Sequence, residues 1–436
     1  TWSKILSDGW SLKKQTGILP KVMNILAIET SCDETAVAVV TCSGAGNDIS
    51  CTVLGNALFS QAHLHAEYGG VYPTLAKREH QKNLVPLTAG ALKEAEKLSP
   101  AKSSLRGTFG DGVRDEEFKN DIRQFLETTQ KPDIDLFAVT SGPGLEPALW
   151  TGVAFAQALA QTWGIPLTGV DHMEGHIVSG LVKKEKETYT LSPFTFPVLA
   201  LLISGGHTEL VLMKEWFRYE LVGKTKDDAV GEAFDKVARM LGLPYPGGPE
   251  IGHYAARARE RQLHATAHNK RKAQHTHTTE KKNLIIYDKI LGNTFVFPRP
   301  MLQDESCDFS FSGLKTAVLY TIKDMDELSP EDKEHIAEAF EDAVQDVLTE
   351  KVRRALEKTG ARALAVGGGV SANAHIRKGL EELIANAYPD VSLHYPDRSL
   401  TGDNAIMIAL AAGLRALTNK LSTEKTITAH GAQTLA

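Results

Sequence analysis

Asn24-Ile-Leu-Ala-Ile28, Glu29-Thr-Ser-Cys-Asp-Glu34 and Thr35-Ala-Val-Ala-Val-Val-Thr41 follow one another without a break near the start of the chain. Two short apolar runs rich in Val and Ile, parted by small polar residues, read as a strand, a tight turn and a second strand. The design recurs at Val198–Ile203, Ser204–His207 and Thr208–Met213. A third apolar run, Ala363–Val366, leads into Gly367, Gly368 and Gly369. Between these runs lie helical stretches at Trp150–Trp163, Asp227–Leu241, Pro330–Lys358 and Asn373–Ala387. Strands alternating with helices predict an α/β protein, and the repeated opening predicts two related lobes.

Composition narrows the class. The chain has 436 residues, 42% hydrophobic and 23% charged, more than one core usually serves. Disorder and collagen-like repeats are excluded. The longest apolar candidates, Val198–Ile203 and Ala405–Leu414, are too short to span a membrane. A net charge of −6 opposes a uniformly basic nucleic-acid binder, so any RNA contact comes from local patches. Cys32, Cys42, Cys51 and Cys307 form no disulfide framework and no CxxC, which points to a reducing compartment. The first residues, Thr1–Val22, carry Lys4, Lys13, Lys14 and Lys21 against Asp8 alone. They read as the tail of an organellar transit peptide or as a plain disordered arm.

Two stretches read as insertions. Ser99–Lys131 is charged and holds Gly and Ser; Arg257–Lys282 carries about eight basic residues against two acids. The second reads as a solvated loop or as an RNA-facing basic patch. Its histidines are too irregularly spaced for a metal site.

The glycine turns carry the first chemistry. In Val366-Gly-Gly-Gly-Val-Ser-Ala-Asn373 a strand feeds three glycines and then a helix. Backbone without Cβ atoms comes close to a ligand, and the helix start offers free N–H groups. The pattern is neither GxxxxGK[ST] nor GxGxxG. Leu202-Ile-Ser-Gly-Gly-His-Thr208 reads as an anion-binding nest, and Tyr245-Pro-Gly-Gly-Pro249 and Ser141-Gly-Pro-Gly144 as further close-approach loops. Four such turns predict a binding cleft.

A second constellation is Asp171-His-Met-Glu-Gly-His176. His172 and His176, at i and i+4, share one helix face and suit one metal ion. Glu174 falls about 200° round the helix from His172, so a zincin-type base is not supplied. Asp403, in Ser399-Leu-Thr-Gly-Asp-Asn404, is the candidate third ligand, or a helix N-cap. Two imidazoles and a carboxylate suit Zn²⁺ or Fe²⁺. Asp33 and Glu34 are candidates for general-base work, against the plain reading of a surface turn. Asp235 is placed to accept from ribose hydroxyls, or is a solvated helix acid.

Together these segments resemble one family, the tRNA N6-adenosine threonylcarbamoyltransferases, once called O-sialoglycoprotein endopeptidases. The matching stretches are Ile28–Thr35, Gly69–Pro73, Ser141–Leu145, His172–His176, Leu202–Thr208, Asp227–Lys236, Tyr245–Pro249, Phe309–Lys315, Gly367–Asn373 and Thr401–Asn404. They run in family order through nearly all of Met23–Gly413. The resemblance implies the two-lobed fold of sugar kinases, Hsp70 and actin, with duplicated strand–turn–strand cores and a cleft between lobes. The first lobe is expected over 23–196 with the 99–131 insertion, and the second over 197–403 with the 257–282 insertion. A C-terminal helix near 404–418 is expected to pack back on the first lobe, ahead of a tail at 419–436.

The resemblance also implies the reaction. Threonylcarbamoyl passes from threonylcarbamoyl-AMP to N6 of the adenosine 3′ of the anticodon in tRNAs reading ANN codons. His172, His176 and Asp403 would bind one divalent metal ion per subunit, Zn²⁺ or Fe²⁺. Leu202, Ile203, Ser204, Gly205, Gly206, Asp235, Gly248 and Asn373 would line the adenylate site, with Asp33 and Glu34 at the reacting end. Implied partners are tRNA, a separate synthase supplying threonylcarbamoyl-AMP, and a second copy in a homodimer, with no membrane. The form looks mitochondrial, with the cytoplasm as the other location. Two departures stand out: Gly252 replaces an acid that many members carry after the PGGP loop, and Gly402 is inserted in the usual TDN. The alternative is an ATP-hydrolysing or phosphotransferring enzyme of the same fold, because glycine loops alone do not separate ATP from an acyl-adenylate.

Overall fold

The structure, a computed structural model, describes residues 22–46, 48–97, 99, 112–273 and 295–435. The transit-like segment before Val22 and residues 274–294, which include the end of the basic insertion, lie outside these. Twelve strands, β1 (Val22–Glu29), β2 (Glu34–Ala45), β3 (Asp48–Ser60), β4 (Leu136–Gly142), β5 (Leu167–Asp171), β6 (Val182–Glu185), β7 (Thr188–Leu191), β8 (Val198–Ile203), β9 (Thr208–Glu215), β10 (Arg218–Lys224), β11 (Ala363–Gly367) and β12 (Ser392–His394), form two sheets among the described residues. The first sheet runs β5-β4-β1-β2-β3-β7-β6 and the second β10-β9-β8-β11-β12. Each holds the expected strand–turn–strand unit, β1–β2 and β8–β9, paired antiparallel, with a parallel neighbour beside its first strand. The chain is therefore an α/β protein built on a repeated motif.

It divides into two compact units. One comprises Thr1–Thr195, Glu215–Tyr219 and His394–Ala436; the other comprises Phe196–Lys214 and Glu220–Leu393. Residues 394–403, expected in the second lobe, fall in the first unit, and Asp403 with them.

In the first unit the sheet is covered on both faces, which is why its strands read as unbroken apolar runs. Side chains alternate across a strand, so β1 serves two cores. Leu26 and Ile28 join Val37 and Val39 against the helices Pro73–Glu94, Glu116–Thr128 and Glu146–Trp163. Ile25 and Ala27 join Ala36, Ala38 and Val40 against the helix Ala405–Leu417. Within the 99–131 stretch, read as an insertion, Glu116–Thr128 forms a packed helix. Phe118, Ile122, Phe125 and Leu126 share one face of it and are buried, with Asp115 capping its start. Phe118 stacks on Phe155 and Phe125 meets Trp163 edge-on. The apolar i, i+4, i+7, i+8 spacing is hidden under the charges between.

The cysteine reading also changes. Cys42 and Cys51 face each other across β2 and β3 and form a disulfide, with Cα atoms 4.1 Å apart. A register shift at Val39/Val40 aligns them. This is one bond and not a framework.

Residues 418–435 bind back along the first unit. The Glu424 N–H donates to the Leu167 carbonyl, the His430 N–H to the Ser141 carbonyl, and the Gly144 N–H to the Gly431 carbonyl. The Ser141–Gly144 turn, expected to approach a ligand, thus approaches the chain's own tail. A Cβ on Gly142 would collide with the His430 carbonyl, and its φ of +156° disfavours other residues as well.

Glu174 is fully buried and bound by Arg415 through both carboxylate oxygens, at 2.6 and 2.5 Å, and by the Tyr219 hydroxyl at 3.1 Å. The Arg415 guanidinium lies 4.4 Å from the Phe217 ring centre. Glu174 is a structural anchor, turned to Arg415 as the helical wheel requires. No helix among the described residues is long and apolar enough to cross a membrane.

Removing one partner of a buried ion pair leaves the other uncompensated, so Arg415→Ala is expected to cost about 3–5 kcal/mol of stability. The double variant Arg415→Met, Glu174→Leu should recover most of it. Chemical denaturation of the three proteins checks this.

Candidate metal and adenylate sites

The first site grows from the end of β1 and the start of the helix His172–Gly180. Asp171 caps that helix, its Oδ1 accepting from the Met173 and Glu174 N–H groups at 2.8 and 3.3 Å. The cap fixes the first turn, and i, i+4 spacing brings His172 and His176 onto one face, ring centres 4.7 Å apart. Asp403 comes from just before the Ala405–Leu417 helix. Asn404 caps that helix through the Met407 N–H, which leaves the Asp403 carboxylate for the histidines. Both Nε2 atoms lie 3.3 Å from the same oxygen, Asp403 Oδ1. The three donor atoms fall within 4.8 Å of one another.

The residues fit a divalent cation. His176 is wholly buried, and neither of its ring nitrogens makes a hydrogen bond of ordinary geometry among the described residues. Buried polar atoms are seldom left so without a missing partner. Two imidazole nitrogens and a carboxylate oxygen converging on one point are a donor set for Zn²⁺ or Fe²⁺.

Behind the ligands stands a residue that no sequence pattern singles out. Glu29 is fully buried at the end of β1. Its Oε2 takes His172 Nδ1 at 3.0 Å and the Thr140 hydroxyl at 2.6 Å, and its Oε1 takes the Ser31 N–H at 2.5 Å. A carboxylate on Nδ1 keeps the proton there and turns the Nε2 lone pair toward the cation point. In the metal-free protein burial works against charge on His172, but Asp403 and Glu29 outweigh it and hold its pKa well above the usual value, so a cation binding at Nε2 has to displace a proton there. Burial lifts Glu29 less than His172 lowers it.

The turn after β1 carries Asp33 and Glu34. Asp33 is buried, and its carbonyl accepts from the Gln61 N–H at 2.9 Å. Burial first, then the charges of Asp403 and Asp33, push the Glu34 carboxyl up to about 9. Asp33 is raised too, chiefly by burial, and a hydrogen bond links the two carboxyls. Glu34 therefore keeps its proton and donates in that bond, and Asp33 accepts. Burial and the nearby acids raise the Cys32 thiol well above its usual value, which removes it as a nucleophile. His80 braces the turn from below: the Thr35 hydroxyl meets its Nδ1 at 2.8 Å and its Nε2 reaches the Cys32 carbonyl at 3.1 Å.

The second unit gathers the other candidates. β11 runs parallel to β8, so Gly367–Gly369 and Ser204–Gly206 follow neighbouring strand ends. Leu202 and Ile203 are core residues of β8, so only their backbone can meet a ligand. The Gly231 N–H donates to the Ser204 carbonyl, bringing the helix Val230–Met240 under this turn. Asp235 Oδ1 accepts from the Gly247 N–H at 2.7 Å, which ties the Pro246–Pro249 loop to the same helix. Asn373 caps the helix Ala374–Ala387 and donates to Glu341 Oε1 at 2.6 Å. A Cβ on Gly252 would stand 3.6 Å from both Asn373 and Glu341, so the missing acid opens directly on Glu341. Gly205, Gly206, Gly248 and Gly369 would each carry a Cβ into open space. Leu202–Gly206, Asp235, Gly248 and Asn373 all lie in the second unit, where Asp235 and Asn373 already hold its loops.

Two matched motifs prove to bind each other. Asp227 accepts from the Phe311 and Ser312 N–H groups and from the Ser310 and Ser312 hydroxyls. Asp228 pairs with Lys236 and Lys315. In the basic stretch, Arg259 pairs with Glu341 and Asp342, and Arg261 with Glu334. Those two cations are therefore bound within the second unit.

The sequence model of the TsaD family, tRNA N6-adenosine threonylcarbamoyltransferase, matches residues 52–102, 122–279 and 270–410. The chain belongs to this family. Among solved structures, T. kodakarensis HypF aligns at 12% identity and a TM-score of 0.41, over 92% of this chain and 48% of that one. Full-length HypF in the phosphate- and nucleotide-bound form aligns at 11% and 0.42, over 93% of this chain and 58% of that one. The chain spans about half the length of these two proteins.

Glu29→Gln is expected to weaken zinc binding about 10–100-fold, read by chelator competition, with His176→Ala weakening it further. For metal-free protein, an unfolded Glu34 ionises near pH 4.3. Between there and about 9 the folded form holds a proton that the unfolded form has lost. Stability therefore falls as pH rises through that window. Glu34→Gln should flatten the slope and melt higher than wild type at about pH 8 by calorimetry.

Proposed function

We propose that this chain transfers threonylcarbamoyl from threonylcarbamoyl-AMP to N6 of the adenosine 3′ of the anticodon in ANN-decoding tRNAs. The observation that carries the reading is the convergence of His172, His176 and Asp403, backed by Glu29, in a chain of the TsaD family. The adenosine N6 attacks the carbamoyl carbon, a C–N bond forms, and the C–O bond to phosphate breaks with the electron pair leaving on AMP. The amine proton passes to the Asp33 carboxylate while Glu34 holds its own proton and orients Asp33. Backbone N–H groups of the Ser204–Gly206 and Gly367–Gly369 turns bind the adenylate phosphate without lysines. His172, His176 and Asp403 would hold a divalent ion, Zn²⁺ or Fe²⁺, which would supply Lewis-acid charge for a developing oxyanion. The reading includes a separate synthase for threonylcarbamoyl-AMP, a homodimer and a mitochondrial location.

The test incubates unmodified ANN-decoding tRNA with metal-loaded protein and independently made threonylcarbamoyl-AMP, then measures nucleosides by mass spectrometry. Threonylcarbamoyladenosine should form, fall by about 10²-fold or more in Asp33→Asn, and be lost in His172→Ala. No product from folded, metal-loaded protein, together with ATP turnover in the absence of tRNA, would select the phosphotransfer reading instead.

A further inference from the structure

Tyr68 and Tyr72 are unusual for a soluble surface. They are 59% and 52% exposed, yet their rings stack on each other 5.5 Å apart at 15°. Exposed aromatic side chains gain little by ordering themselves alone, so something built holds the pair. The Gly69 N–H returns to the Ala66 carbonyl, with Gly69 in the left-handed region at φ +67°, closing the turn Ala66–Gly69 that carries Tyr68. The Tyr72 N–H donates to His65 Nδ1 at 3.2 Å. His65 is buried, and its Nε2 meets Gln61 Oε1 at 3.2 Å. The Gln61 N–H in turn donates to the Asp33 carbonyl. The backbone of the pair is thus tethered, through two buried side chains, to the turn that carries Asp33 and Glu34.

Resting on the transfer reading, we infer that the Tyr68–Tyr72 pair is a stacking platform for an unpaired base of the anticodon loop beside the target adenosine. Single-stranded RNA is bound by stacking its bases on aromatic rings, with cations tracking the phosphates. The helix Pro73–Glu94, which starts directly after Tyr72, carries exposed cations in its first three turns. Lys77 is exposed, and the side chains of Arg78 and Lys82 are 65% and 58% exposed. Glu67 and Glu79 are the acids there, and Glu79 is shielded by Lys82 at 2.6 Å. A face that offers two parallel rings and a short cationic row suits a splayed base and its phosphate. It suits a duplex poorly, because the bases there are already stacked.

The test uses full-length, metal-loaded protein and an anticodon stem–loop RNA carrying 2-aminopurine next to the target adenosine, with an RNA duplex as control. Tyr68→Ala with Tyr72→Ala should raise the stem–loop Kd about tenfold for each ring removed and abolish the fluorescence change, leaving duplex binding and metal content as in wild type. Tyr68→Phe with Tyr72→Phe should restore both signals. Tyr72→Leu, which keeps the apolar bulk, covers the case in which the double alanine variant fails to fold, and should lose the signal too. Unchanged stem–loop binding in the alanine and leucine variants overturns the platform. So does a loss of dimer mass by light scattering with RNA binding intact, which would make the pair a protein contact. If wild type modifies tRNA while the variants bind normally, this inference alone falls. If wild type neither binds nor modifies tRNA, the transfer reading falls with it.

Discussion

The contact between Glu29 and His172 is the constraint around which the first unit is arranged. A carboxylate with no exposure to water is tolerable only if every lone pair in use has a donor, and Glu29 finds three in Ser31, Thr140 and His172. Those donors come from the turn after β1, from the neighbouring strand β4 and from the helix after β5. Satisfying one buried charge therefore locks three elements in register. The same geometry commits Nδ1 of His172 and leaves Nε2 facing Asp403. Fold stability and ligand orientation are one arrangement here.

Charge distribution separates the carboxylates by role. Glu29 is lowered by His172, and Asp403, between two imidazoles, lies well below the usual range despite its burial. Glu34 and Asp33 have no cation of comparable closeness and are raised by burial. Glu174 has Arg415 and becomes an anchor. Five acids in one unit thus divide into ligand, ligand support, proton-holding pair and structural ion pair. Each division follows from which donor lies nearest and not from residue type.

The second unit works with backbone where the first works with side chains. Its polar side chains are largely spent on holding loops: Asp235 on Gly247, Asn373 on its own helix and Glu341, Asp227 on the Ser310–Ser312 turn. What remains open toward a ligand are glycines at the ends of β8 and β11 and at the start of the helix Gly247–Ala273. Glycine turns of this kind let backbone N–H groups approach an anionic ligand without any lysine in the motif.

The sequence alone determined what depends on local pattern. Short apolar runs and period-four spacing carry the two strand–turn–strand motifs, the histidine pair on one face, and the turn of Glu174 away from the metal face. The order of motifs carries the family. Tertiary structure decided everything that depends on partners distant in the chain. Ser141–Gly144 is as glycine-rich as Ser204–Gly206, yet the first receives the C-terminal tail and the second stays open. Glu29 reads as an ordinary strand-end acid until Thr140 and His172 arrive beside it. The Glu116–Thr128 helix reads as a charged insertion because its four apolar residues gain meaning only against Phe155 and Trp163. Cys42 and Cys51 meet because a register shift aligns them. Spacing fixes which side chains share a face, but what each face meets is set by packing between segments that lie far apart in the chain.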